Sequence, residues 1–510
     1  MSDHTSVEEF TDDRAGPGYL PPFDPALFSV VFVAALGLYA ASMSPVVFWG
    51  DSAEFALGAN ELDLHPNARA YPLHRFLCWA LGGVLGDPAF GANLISVLFG
   101  ALTTALLFEA GKLLGGTRLA GLAAASATCL AHTIWTYAGV AEVYSLHTAF
   151  LAGAFVLLLR APFDERGWGP FWFGLLAAGS LLHHRMAFFA APGLLVWLLA
   201  GAPPGTRWRS LGRATAGFAL GAIPFIALCV VASRSAPSDA DNPALWWIKD
   251  VFMGGDSNAG FLLGAGRKTA LESGVYLGKW LIFNLPGVTL LVAGWGFLRA
   301  HRAAGKGVAV ALWVLVATHL VFPFRYDWTG DQYAFLVPLY PIASLGVALG
   351  IGHLELAGRR GLARVMTGLV IVAPTTLYVF LGSTSFGPQL LPGLEEAAAR
   401  KFFLPIRLSD HEPEVWCRNN MLRLPNAAVV HCQWGDGKVY QYLQQVEGLR
   451  LDLKFEIWFG DKIPLRHVFQ IDEWVSVAPG RVELPPQVRA TIDRLEDRGG
   501  GLFDSWEPAE

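Results

Sequence analysis

The chain has 510 residues, of which 53% are hydrophobic and only 15% charged, with mean hydropathy +0.41 and formal net charge −5. Soluble domains carry about 25% charged residues, so the composition excludes an ordinary soluble protein and points to a polytopic α-helical membrane protein. No basic tract or zinc-ligand spacing is present, which sets nucleic-acid binding aside.

Residues 1–25 are polar and acidic, with one Arg and no Lys, and lack the basic start and cleavage site of a removable signal peptide. The first apolar run, 26–46, is therefore expected to remain as an anchor. It ends in FWGDSAEF (Phe48–Phe55), followed by LHPNARAYPL (Leu64–Leu73). Asp51 and Glu54 thus stand where a membrane helix emerges, next to a polar loop braced by Pro66 and Pro72. A carboxylate pair there suits deprotonation of an acceptor beside a lipid-borne substrate.

Further spans are predicted at 92–111, 119–136, 146–160, 169–182, 187–200, 214–232, 276–298, 308–323, 334–353 and 365–382, eleven in all. The apolar stretch Phe76–Leu85 is too short to cross and is expected in the interface. With the N-terminus inside, the inner loops hold Lys112 and Arg118; Arg160 and Arg166; Arg207, Arg209 and Arg213; Arg299, Arg302 and Lys306; and Arg359, Arg360 and Arg364, as the positive-inside rule requires. That arrangement puts FWGDSAEF, AEVY (Ala141–Tyr144), HHR (His183–Arg185), the loop 234–275 and FRYDWTGDQY (Phe324–Tyr333) on the outer side. The charge rule did not demand this convergence, and it predicts an extracytoplasmic site.

From about Thr384 charges become frequent and no further span follows. Ala427–Trp434 reads as a strand, Gly435-Asp436-Gly437 as a turn, Lys438–Glu447 as a helix, and Leu451–Trp458 and His467–Val477 as strands. The expected organisation is a cytoplasmic tail (1–25), a transmembrane part (26–383) and a small extracytoplasmic α/β domain (384–510). The turn fits an anion cradle or a plain helix cap. Of five cysteines, Cys78, Cys129 and Cys229 lie in apolar runs, whereas Cys417 and Cys432 lie in the polar C-terminal region, where export would permit a disulfide between them and spacing alone does not decide it.

The GDSAEF and HP…YPL elements, NLISVLFGALTTALL (Asn93–Leu107), AEVYSL, the HH turn, YDWTGDQY and YLQQVEGLRLDL (Tyr442–Leu453) resemble the DUF2723 membrane proteins. That family is related to protein O-mannosyltransferases and is treated as GT-C-type glycosyltransferases. Its HPPGYPL pattern is here HPNARAYPL, two residues longer and carrying Arg69, and His74 stands where Tyr is common. The resemblance implies a GT-C-like fold in an inner or plasma membrane. It also implies transfer of mannose or a similar hexose from a polyprenyl-phosphate donor to a hydroxyl of an exported protein or glycan.

The resemblance makes Asp51 the base of an inverting transfer; the plain alternative is a capping box over Asp51-Ser52-Ala53-Glu54. Glu54 is a second acid or the capping partner. His65, His183, His184, Arg185 and Arg325 are candidates for donor phosphate or sugar, against snorkelling for the arginines. Tyr71, Glu142, Tyr144, Asp327 and Asp331 are candidates for the acceptor. No cofactor is firmly implied; Asp51, Glu54, Asp327 and Asp331 could supply oxygens to Mg²⁺ or Mn²⁺, though a metal-free site is expected. A transporter, or a scaffold binding lipid-linked glycans, is the alternative. Transporters place charges near the midplane and show repeats, and neither feature is seen here.

Overall fold

The computed structural model describes residues 22–62, 64, 71–164, 166–203, 205–234, 270–325, 330–390, 396–424, 426, 429–458, 475–477 and 502–503. The helices, in chain order, are α1 (Pro25–Ala40), α2 (Asp51–Glu61), α3 (Pro72–Leu85), α4 (Pro88–Gly115), α5 (Arg118–Cys129), α6 (His132–Ala138), α7 (Tyr144–Arg160), α8 (Gly169–His183), α9 (Ala187–Gly201) and α10 (Arg207–Ser233). After the next described stretch begins come α11 (Ala270–Asn284), α12 (Val288–Ala303), α13 (Gly305–Arg325), α14 (Leu339–Leu356) and α15 (Arg360–Ser383).

Each of the eleven predicted segments is helical over most of its length. Among the described residues, five helices are long and apolar enough to cross a membrane, or seven if each of two bent pairs counts as one span. Pro25–Ala40, Ala187–Gly201 and Gly305–Val321 are shorter apolar helices. The segment Phe76–Leu85 belongs to α3, whose first residue is Pro72.

α4 is mostly apolar around its circumference, as a helix in the interior is, with a few buried polar side chains, and it packs against α1, α2, α3, α5, α7 and α14. α14 is almost wholly buried beside it. α10 is its opposite: one side packs on α8, and Leu220, Ile223, Ile226 and Val230 stay exposed on the other. That apolar exposure is what hydrocarbon accepts and water does not. The α8–α10 contact is close because Gly217 lies where a Cβ would fall 2.0 Å from the Phe171 carbonyl oxygen, the small-residue packing typical of membrane helices.

Two spans read as continuous are broken. α5 and α6 meet at 68°, and α11 and α12 at 106°. A break buried among helices must satisfy its freed amides. Here the His132 amide donates to the Tyr378 hydroxyl (3.2 Å) and the Thr133 amide to Asn284 Oδ1 (2.7 Å). Asn284 is the last residue of α11, so one side chain serves both breaks. At the second break Pro286 supplies no amide hydrogen, and Gly287 takes φ 59.

After α15 come α16 (Phe386–Gln389), α17 (Glu396–Phe403), α18 (Glu412–Arg423), β1 (Val429–Gln433), α19 (Trp434–Gln445), β2 (Lys454–Trp458), β3 (Val475–Val477) and β4 (Leu502–Phe503). The sheet is parallel in the order β2-β1-β3-β4, with Val430 opposite Phe455 and Ser476. β1, α19 and β2 therefore form a strand–helix–strand crossover. Gly435-Asp436-Gly437, expected as a turn, is the first turn of α19. Strand geometry in the stretch His467–Val477 is described only for 475–477.

Cys417 and Cys432 are free thiols, not a disulfide. Both are buried in one apolar cluster with Met421, Val439 and Leu443, and burial pushes each thiol upward. The same cluster contains Val47, Ala53 and Ala56. The C-terminal region thus shares a core with α2 and does not stand apart from the helices.

Candidate active site

The site forms where the N-terminal ends of α2, α3 and α7 meet the connection between α8 and α9. Its frame is a set of buried polar side chains on α4. Asn93 Nδ2 donates to the carbonyls of Ser44 (2.9 Å) and Val46 (3.1 Å), and its Oδ1 accepts from the Ala141 amide (2.7 Å). Ser96 Oγ accepts from the Glu142 amide (3.0 Å) and donates to the Glu142 carbonyl (3.1 Å). Ser52 Oγ donates to the Ala141 carbonyl at 2.9 Å. These bonds tie the AEVY turn to the start of α2, satisfying backbone groups that would otherwise be costly to bury.

Asp51 is the first residue of α2, and Gly50, at φ 65, is its N-cap with no side-chain capping bond. The capping box expected as the plain alternative is therefore not formed. The Asp51 carboxylate is exposed and accepts from Trp434 Nε1 at 3.0 Å. Glu54 lies one turn along, 19% exposed, with Arg75 Nη2 3.9 Å from its Oε1. Arg75 is 5% exposed and its guanidinium crosses α2 at Gly58, where a Cβ would lie 2.9 Å from Cζ. Glu142 directly precedes Val143, the N-cap of α7.

Tyr71 is the centre of the cluster. Its backbone lies in the left-handed region (φ 44) directly before Pro72, a conformation costly for a bulky residue and one that tertiary packing must hold. Its ring stacks on His184 (centroids 5.1 Å, 15°) and meets Phe55 edge-on at 5.7 Å. Burial pushes the Tyr71 phenol up to about 12; Arg185 opposes this, and Asp51, Glu142 and Glu54 reinforce it. Four charges from three separate sequence motifs therefore act on one hydroxyl.

His183 and His184 are both buried. His183 Nε2 donates to the Val143 carbonyl at 2.8 Å, anchoring the same turn that carries Glu142. His184 Nδ1 accepts from the Met186 amide (3.0 Å), leaving the proton on Nε2. Burial holds the His184 imidazole well below the ordinary histidine range, and the neighbouring imidazoles and Arg185 act the same way. His184 is thus a neutral stacking surface, and the positive charge at this turn is that of Arg185. Tyr144 packs against His184 (5.8 Å) and Tyr137 (5.0 Å).

The backbone of Arg325 ends α13, and Asp331 lies in a 3-10 turn, Gly330–Leu336. His65, Asp327 and the side chains of Arg325 and Asp331 lie outside the described residues. Among those described, no group of three or more His, Cys, Asp or Glu is placed to hold a metal ion. Sequence reasoning missed Arg75, Trp434 and His147, which packs 5.1 Å from His184. An arginine in the otherwise apolar PLHRFLCWALGG was a readable signal for Arg75. Nothing in the sequence pairs Trp434 with Asp51, 383 positions away.

Comparison with known proteins agrees with the resemblance carried by the motifs. Residues 65–231 match the family described as dolichyl-phosphate-mannose-protein mannosyltransferase. The mouse (Mus musculus) protein O-mannosyl-transferase TMEM260 is 30% identical over 138 residues, or 26% of this chain. That alignment spans 19% of the length of the curated relative. The crystal structure of ArnT from Cupriavidus metallidurans bound to undecaprenyl phosphate superposes with a TM-score of 0.55 and 13% identity, covering 95% of this chain and 91% of that one. The chain therefore has the fold of ArnT, and its sequence resembles GT-C-like proteins of the O-mannosyltransferase type.

Proposed function

We propose that the protein is a polyprenyl-phosphate-dependent glycosyltransferase that moves mannose or a similar hexose to an acceptor hydroxyl on the extracytoplasmic side. The observation that carries this reading is the gathering of Asp51, Glu54, Glu142 and Arg185 around Tyr71. It occurs in a fold shared with a structure bound to undecaprenyl phosphate.

In this reading Asp51 takes the proton of the acceptor hydroxyl as its oxygen bonds the anomeric carbon. The anomeric carbon–phosphate oxygen bond breaks on the opposite face, so the configuration inverts, and the polyprenyl phosphate leaves with the electron pair. The leaving oxygen is stabilised by positive charge and needs no proton; Arg185 supplies it, with Arg325 as a second cation. Glu142 and Tyr144 orient the acceptor, joined by Asp327 and Asp331, which follow α13 in the sequence. Glu54 is held by Arg75 as a second acid beside the base. The acceptor is an exported protein or a glycan. The contact of Trp434 with Asp51 supports a reading in which the C-terminal region and the site share one side of the membrane.

The test is sugar transfer by the purified protein from a panel of polyprenyl-phosphate sugars, with wild type and Asp51→Asn in parallel. Donor-dependent transfer that disappears in a folded Asp51→Asn protein is expected. Equal transfer in both proteins would remove Asp51 from the chemistry. Solute flux in liposomes without sugar transfer would favour a transporter.

A further inference from the structure

We infer that Trp434 is a positioning residue for the reaction: its indole N–H fixes the orientation of the Asp51 carboxylate. The inference rests on the reading of Asp51 as the base. Asp51 projects from the first turn of α2, and its exposed side chain would sample several rotamers if unbraced. A general base needs its accepting oxygen within hydrogen-bond reach of one particular proton. Trp434 Nε1 meets Oδ1 at 3.0 Å and leaves Oδ2 available. A neutral donor suits this role, because it orients the carboxylate without adding a formal positive charge that would oppose its protonation.

The indole is itself held. The Gly50 amide donates to the Gly435 carbonyl at 3.2 Å, joining the residues adjacent to both partners. Lys438 Nζ lies 4.3 Å from the Trp434 ring centroid. Trp49 packs edge-on against Trp416 at 5.8 Å, and Val47, Ala53 and Ala56 share a buried cluster with Val439 and Leu443. Tryptophan also serves as an interfacial anchor in membrane proteins. Trp168, Trp172 and Trp208 fit that use, being 52%, 53% and 82% exposed. Trp434 is more enclosed and is bonded to a carboxylate.

Trp434→Phe removes the N–H, together with the five-membered part of the indole, while keeping an aromatic face toward Lys438. The expected result is a fall in kcat of about tenfold or more, with the donor KM and the melting temperature nearly unchanged. Unchanged kcat beside an inactive Asp51→Asn protein would overturn this inference and leave the base assignment standing. Parallel loss of kcat, donor binding and melting temperature would also overturn it, in favour of a packing role. A readout independent of turnover uses protein labelled with 5-fluorotryptophan, with the Trp434 resonance assigned by its loss in Trp434→Phe. That resonance should move in Asp51→Ala; an unmoved resonance would overturn the contact. Activity retained in Asp51→Asn would overturn the base assignment, whatever the resonance does.

Discussion

The two ends of α4 both gather charged side chains, and they do so in opposite ways. At the C-terminal end Glu109 is 1% exposed and pairs with Lys112 at 2.8 Å and with Arg160. Lys112 also donates to the Pro22 carbonyl at 2.7 Å, and Arg118 pairs with Asp24 at 2.7 Å. At the other end Asp51 is exposed, and Glu54 lies beside Arg75, with Nη2 3.9 Å from Oε1. In the first cluster the Glu109 carboxylate is buried between Lys112 and Arg160 and holds helices together, although Arg118 at its edge is exposed. The second keeps carboxylates within reach of an incoming molecule. Buried charge by itself is thus a poor guide to function; the openness of the carboxylate separates the two ends.

That contrast can be broken most severely at Asp51. Asp51→Asn should lower sugar transfer by about 10³-fold or more, the upper range of general-base catalysis, with no change in melting temperature. Glu109→Ala should do the reverse. It leaves Lys112 and Arg160 without their buried partner, at a cost of about 3–5 kcal/mol. Thermal melting in detergent should show the loss, while turnover per folded molecule stays near that of wild type. If Glu109→Ala abolished turnover in folded protein, the division between a structural and a chemical end would fail.

Asp436 lies between these extremes, in the first turn of α19. Burial pushes its carboxyl from 3.8 up to about 6. An acid raised in this way favours the folded state while protonated in both states. That relative advantage is lost as pH rises from about 3.8 to about 6. Asp436→Asn should therefore stabilise the C-terminal region at pH 7 by about 3 kcal/mol and make little difference at pH 3. Urea unfolding followed at the two pH values measures this. The smallest effect is expected from Gly58→Ala, which pushes the Arg75 guanidinium off α2. Loosening its pairing with Glu54 should slow transfer about threefold, corresponding to roughly 0.7 kcal/mol. Comparing kcat with that of Arg75→Met shows whether both act through the same contact.

Much of the helical part was legible because lipid demands long apolar runs, and such runs mark themselves in a sequence. The break at 286–287 was missed, since 276–298 was read as one span, although Pro286-Gly287 was a signal for it. The break after Cys129 carried no such signal: Leu130 and Ala131 are ordinary helix residues, and what stabilises it is Tyr378 and Asn284, supplied from far along the chain. The site shows the same division. Asp51, Glu54, Tyr71, Glu142 and Arg185 announce themselves as polar residues at helix ends, and the structure brings them to one place. Their supports are hidden in apolar context, as Asn93, Ser96 and Arg75 are, or stand at the far end of the chain, as Trp434 does. Whether Cys417 pairs with Cys432 was not legible, because an exported location permits a disulfide without requiring one; the structure holds both as buried free thiols.

The bond between Trp434 and Asp51 joins residues made at very different times. Translation at roughly 5–20 residues per second separates their synthesis by 383 residues, or roughly 20–75 s. Throughout that interval the first loop exists at the membrane surface without its indole partner. A chain halted anywhere before residue 434 keeps the carboxylate and lacks the group that aims it. Completion of the last quarter of the polypeptide is therefore also the moment at which the first loop acquires its finished geometry.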